Sequence, residues 1–183
     1  MNAGAVASVE RGADRFGRGD AVAVFAATAL SLLALMRFGM NGHGFLFAFV
    51  LCVLVALSRI DLERRIIPNR IVLPTFVVVL AAQMMLAPDR VAEWVVAPLA
   101  AALVLLLPSL VTPNAIGMGD VKLGLLLGAT LGTKVVTALV LGFLFVFPVA
   151  LWLVARRGRA AKGATIPLGP FLAGGAVAAL FLA

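Results

Sequence analysis

The sequence predicts an all-α protein, a polytopic bundle of about seven transmembrane helices. Three observations predict it. The chain has 183 residues, of which 63% are hydrophobic and only 13% charged, whereas a soluble domain carries about 25% charged residues. The apolar runs at 98–107 and 135–154 do not alternate with polar residues, so they do not fit the strands of a lipid-facing barrel. Helices are then the remaining way to satisfy backbone polar groups in lipid. Finally, when the apolar segments are laid out in alternation, twelve of the fifteen basic residues fall on one side, as the positive-inside rule requires.

The elements follow in order. Residues 1–20 mix Arg, Asp and Gly and read as a loose cytoplasmic tail. The first span is expected at 21–37. No small-x-small cleavage site follows it, the next residues being Arg37-Phe38-Gly39-Met40, so it reads as a retained anchor rather than a signal peptide. His43 falls in the short loop Gly42-His43-Gly44, and the second span is expected at 44–61. Its Cys52 is alone, which leaves neither a disulfide framework nor a zinc knuckle. No metal or other cofactor is expected.

The third span, 70–87, is entered through Pro68-Asn69, with Asn69 as its cap. The fourth is expected at 91–111. The fifth, 118–132, is shorter than the roughly 20 residues of a full crossing, and charge argues for it. With a cytoplasmic N-terminus and seven spans, the inner segments hold Arg11, Arg15, Arg18, Arg59, Arg64, Arg65, Arg70, Lys122, Arg156, Arg157, Arg159 and Lys162; the outer ones hold Arg37, Arg90 and Lys134. Were 118–132 not to cross, the Arg156–Arg159 cluster would lie outside. The last two spans are expected at 134–155 and 166–182. Trp94 and Trp152 lie near span ends, as interfacial anchors do. Pro108 and Pro148 fall inside spans and are expected to kink them. The cluster 156–162 reads as a topology signal, with contact to anionic lipid or an acidic partner as a secondary role. The net charge of +7 follows from this topology, so no nucleic-acid partner is expected. The expected organisation is a tail (1–20), an extra N-terminal span with its outer loop (21–43) and a six-helix core (44–183).

Of eight acidic residues, only Asp61, Glu63 and Asp120 sit beside spans at the inner face. An ionisable group near lipid depth is costly and is a functional candidate for that reason. Asp61 ends an inward-running helix and Asp120 begins an outward-running one, so both reach the same depth across about sixty residues of sequence. Gly124, Gly128 and Gly132 continue from Asp120 at four-residue spacing. They form a stripe that lets a neighbouring helix approach and turns Asp120 into the bundle. Gly117 and Gly119 leave the backbone before Asp120 uncrowded, which would admit a substrate strand. Two carboxylates within hydrogen-bonding reach hold one proton between them, leaving one base and one acid. Glu63 reads as a surface acid near Arg64 or Arg65. The plainer readings are that Asp120 only caps its helix and that Asp61 is a solvated exit residue.

Three segments together resemble the type IV prepilin peptidases, membrane aspartyl proteases of the GxGD type. Asp61-Leu62-Glu63-Arg64-Arg65-Ile66-Ile67-Pro68-Asn69 resembles the first motif of that family, an Asp followed by an apolar-Pro step. Gly117-Met118-Gly119-Asp120-Val121-Lys122-Leu123 is similar to the second, GxGD followed by x-Lys-Leu. Ile166-Pro167-Leu168-Gly169-Pro170-Phe171-Leu172, with Gly174-Gly175, resembles the closing Pro-x-Gly-Pro-Phe segment. The resemblance covers about residues 44–183. It implies that Asp61 and Asp120 are the catalytic pair, that Gly117 and Gly119 shape the loop presenting Asp120, and that Pro68 and Lys122 belong to the same substrate- and loop-shaping set, although it gives Lys122 no chemical role. It implies hydrolysis of one peptide bond in a prepilin-like precursor, after its basic leader, at the cytoplasmic face of a bacterial or archaeal cytoplasmic membrane. The larger members of that family carry a cysteine-rich insert with paired CxxC motifs and methylate the new N-terminus. Here the corresponding loop has about six residues and Cys52 stands alone, so the chain resembles the short peptidases of tight-adherence pili or the archaeal preflagellin peptidases, and methyltransferase activity is not expected. The competing classes are presenilin-like GxGD proteases, a proton-coupled transporter and an inactive secretion-complex subunit. The Pro68 step argues against the first, the lack of visible internal repeats against the second, and the two intact aspartates against the third.

Overall fold

A computed structural model describes residues 17–111, 116–157 and 167–182. Most of the expected tail and of the basic cluster at 156–162 lie outside the described residues. The described chain forms seven α-helices: α1 Arg18–Phe38, α2 Gly42–Arg64, α3 Asn69–Leu86, α4 Val91–Val111, α5 Met118–Leu131, α6 Val135–Arg157 and α7 Gly169–Leu182. Short 3-10 turns at Pro88–Arg90 and Gly132–Lys134 join α3 to α4 and α5 to α6. Five stretches are long and apolar enough to cross a membrane; the last of them, Met118–Leu153, runs through both α5 and α6, and α7 is a shorter apolar helix. The protein is a multi-pass, all-helical membrane protein.

Contacts between helices show that the chain alternates between two ends of the bundle. At one end Gly19 of α1 lies against the Arg59 guanidinium of α2, and Lys122 Nζ of α5 donates to Asn69 Oδ1 of α3 at 2.9 Å. At the other end Gln83 Nε2 of α3 donates to the Thr130 carbonyl of α5 at 3.0 Å. Glu93 of α4 there accepts the Thr133 amide at 2.8 Å and the Thr133 hydroxyl at 3.0 Å. That amide belongs to the turn entering α6, where helix-start donors lack intrahelical partners. Gly132 makes the turn at φ 58, a backbone region that glycine enters without steric penalty. The fully buried Leu51, Leu105, Leu123, Leu126, Leu127 and Leu172 fill the centre. Large side chains such as Phe25, Met36, Val77, Leu110 and Phe147 point outward, as a lipid-facing surface allows.

The expected glycine stripe packs against α4. A Cβ on Gly124 would stand 2.7 Å from Leu105 Cδ1, and one on Gly128 would overlap the backbone of Ala97 and Pro98. Three local expectations are corrected. Trp94 is no interfacial anchor: it is 4% exposed, and its indole N–H donates to the Ala87 carbonyl at 3.1 Å. A buried indole finds such a partner. Trp152, by contrast, is exposed, with the Arg156 guanidinium 4.8 Å above its ring. His43 is not in a loop, because α2 starts at Gly42, capped by Asn41 Oδ1 accepting the Gly44 amide. Asn69 does not cap α3. Pro68 occupies the N-cap position and Asn69 is already helical, which frees its side chain for Lys122. Pro108 and Pro148 lie inside α4 and α6 as expected.

Because Gly128 meets backbone rather than a side chain that can swing away, Gly128→Leu should force α4 and α5 apart. A loss of about 1–3 kcal/mol is expected from overpacking. It should appear as a lower unfolding temperature in detergent, and an unchanged temperature would contradict the α4–α5 contact.

Candidate active site

Asp61 lies in the last turn of α2. The helix stops at Arg65, which adopts a left-handed conformation (φ 53) and donates its amide to the Asp61 carbonyl at 2.8 Å, a helix-closing arrangement. The Asp61 residue is only 5% exposed. Its Oδ2 accepts the Gly169 amide at 3.0 Å, in a buried bond that spans 108 residues of sequence. Gly169 is the first residue of α7. The Leu168 carbonyl takes the Phe171 and Leu172 amides, so the Gly169 N–H is one of the helix-start donors with no intrahelical acceptor. The Asp61 carboxylate supplies that acceptor. A Cβ at position 169 would lie 2.8 Å from the same oxygen, so glycine is the residue that lets helix and carboxylate meet.

Asp120 is the third residue of α5, whose N-cap is Gly117 (φ −67, ψ 142). The Asp120 amide donates to the Gly117 carbonyl at 2.9 Å. Asp120 is therefore inside the first turn, where a carboxylate complements the helix dipole, and is not the cap itself. It is half-buried, at the same end of the bundle as Asp61. The structure thus brings the two sequence-predicted aspartates together at one end of the bundle.

Two contacts hold α5 to the chain that leaves Asp61. Gly119 packs on the buried Ile67: a Cβ there would stand 2.8 Å from Ile67 Cβ. This corrects the expectation of an uncrowded Gly119, since the missing side chain is taken up by close packing rather than left open. Gly117 is exposed. The second contact is Lys122 to Asn69, which gives the motif lysine a structural place. Pro68, as the α3 cap, sets the direction of the chain between these two contacts.

Glu63 is exposed beside Arg64, as expected of a surface acid, and its ion pair is with Arg59 one turn back on α2. Arg59 also reaches Asp20 of α1 at 3.4 Å. Residues four apart share a helix face and consecutive ones do not, which explains the choice. Arg59 is thus shared: its pair with Glu63 lies within α2, and its contact with Asp20 reaches α1. Gly169 lies in the closing motif segment, and nothing local in the sequence gives it a role. The signal was a glycine between two prolines at a helix start, and its partner, 108 positions away, had no local trace. Among the described residues, no group of three or more His, Cys, Asp or Glu is placed to hold a metal ion. Asp61 is nearly sealed and Asp120 half-open, and a carboxyl group in such a place can move a proton to and from a reacting group.

Residues 47–155 match the model of the type IV leader peptidase family. The chain is 36% identical over 163 residues to a prepilin leader peptidase/N-methyltransferase of Burkholderia pseudomallei, which covers 85% of this chain and 52% of that protein. It is 32% identical over 149 residues to one of Bacillus subtilis (79% and 58%) and 33% identical over 159 residues to one of Xanthomonas campestris pv. campestris (79% and 52%). The chain spans about half the length of these curated relatives. No solved structure matches it. With both aspartates at one end of a membrane bundle and the family match running through them, the chain belongs to the type IV leader peptidase family.

Proposed function

We propose that this protein is an aspartic endopeptidase that removes the basic leader from prepilins or prepilin-like precursors, with Asp61 and Asp120 as its catalytic pair. The placement of both aspartates at one end of the bundle, with their flanking segments joined by the Gly119–Ile67 and Lys122–Asn69 contacts, carries this reading. One aspartate takes a proton from water as it attacks the scissile carbonyl, and the other protonates the departing nitrogen. Their titration belongs to the pair rather than to either residue. Family membership favours this reading over a proton-coupled transporter or an inactive secretion-complex subunit.

The working topology is seven crossings with the N-terminus and the aspartates on the cytoplasmic side, residues 44–183 forming the peptidase core and α1 an added span. The short helix α5 supports the depth of the site. Its 14 residues extend about 21 Å against a hydrocarbon thickness of about 30 Å. Its far end is tied to the start of α4 through Glu93, so its near end, with Asp120, is recessed from the inner surface. A precursor bond at the membrane edge enters such a recess. The loop between the first two spans is short and Cys52 is the single cysteine, so the reading is a peptidase without the N-methyltransferase activity named in the longer relatives.

Asp61→Asn and Asp120→Asn should each reduce cleavage of a co-expressed prepilin by at least about 100-fold while the protein remains in the membrane. Full processing by either variant, followed on a gel, would remove that residue from the mechanism. Glu63→Gln should retain substantial cleavage, because Glu63 serves the Arg59 pair; an inactive Glu63→Gln enzyme would move the acid–base role to Glu63.

A further inference from the structure

The site owes part of its geometry to a helix that carries neither aspartate. α7 donates its first amide to Asp61, and its position is set on its other side by α6. A Cβ on Gly175 would overlap the Ala138 carbonyl and stand 2.5 Å from the Gly142 amide nitrogen, and one on Gly142 would stand 3.1 Å from Leu172 Cδ2 and 3.2 Å from Leu172 Cα. With backbones this close, α7 cannot slide along α6 without overlap. The register of that helix pair fixes where the Gly169 N–H falls.

We propose that Gly169 is a positioning residue for Asp61: its amide, placed by the Gly142–Gly175 contact between α6 and α7, fixes the orientation of the Asp61 carboxylate toward Asp120. This rests on the peptidase reading for its catalytic meaning but not for its geometry. Two separate observations carry it. The hydrogen bond is well formed and buried, and a methyl group at position 169 would stand 2.8 Å from Oδ2, so the Asp61 carboxylate would have to turn away to admit it. A bond from an amide to an ionised carboxylate is stronger than one to a neutral acceptor, so the contact responds to the charge on Asp61.

The test combines kinetics with an amide spectrum. Gly169→Ala keeps the N–H but pushes a methyl group against Oδ2. It should lower kcat for prepilin cleavage by about 100-fold, the cost of a misplaced reacting group, with KM little changed; a wild-type kcat would overturn the proposal. Independently of activity, the protein can be labelled at its 18 glycines with 15N in detergent. The Gly169 amide proton should lie downfield and move upfield in Asp61→Asn, which keeps an acceptor oxygen but loses the charge, while Gly142 and Gly175 stay in place. A Gly169 resonance identical in wild type and Asp61→Asn would overturn the proposal even if Gly169→Ala failed to fold. Protein that cleaves no prepilin but shows the shift would sustain the positioning role and refute the peptidase reading.

Discussion

A carboxylate nearly sealed from water at the end of a membrane helix needs a donor, because burying an ionised or unpaired polar group is expensive. For Asp61 that donor is the first amide of α7, and much of the bundle is arranged around the bond. It draws the C-terminal helix onto α2. A side chain at position 169 would push on the same carboxylate, and the backbones of α6 and α7 come close at Gly142 and Gly175. The donor and the acceptor each solve the other's problem: a helix start has amides without partners, and a buried aspartate has oxygens without water.

The second aspartate arrives by a different device. Asp120 sits in the first turn of α5, a helix of only 14 residues. Gly119 then closes the gap to Ile67, and Lys122 ties the same helix to Asn69. Both ties grip the stretch of chain that leaves Asp61. The residues that flank the two acids in sequence are thus the residues that fasten them together in space, so the motif surrounding an aspartate is as much a packing motif as a chemical one.

Much of this was legible in the sequence. The helices fall within a few residues of their expected bounds because apolar runs bounded by Gly, Pro and charge leave few alternatives in lipid. The aspartates stood out because acids next to spans are rare. The glycine stripe announced the α4–α5 contact through its four-residue period. What stayed hidden was pairing. The sequence carries no mark that Trp94 would be buried onto the Ala87 carbonyl or that Asn69 would leave its cap for Lys122. Each of these depends on where a neighbouring helix comes to rest. The same is true of Gly119, whose missing side chain looks like freedom in one dimension and proves to be close packing in three.

The account stands on the meeting of two acids from distant parts of the chain, and cross-linking measures that meeting most directly. In a Cys52→Ser background, Asp61→Cys and Asp120→Cys introduced together should be joined by a short thiol-to-thiol reagent in native membranes. Asp61→Cys combined with Asp89→Cys, at the opposite end of the bundle, should not be joined. Absence of the first link in folded protein, or equal yield of the second, would contradict the account.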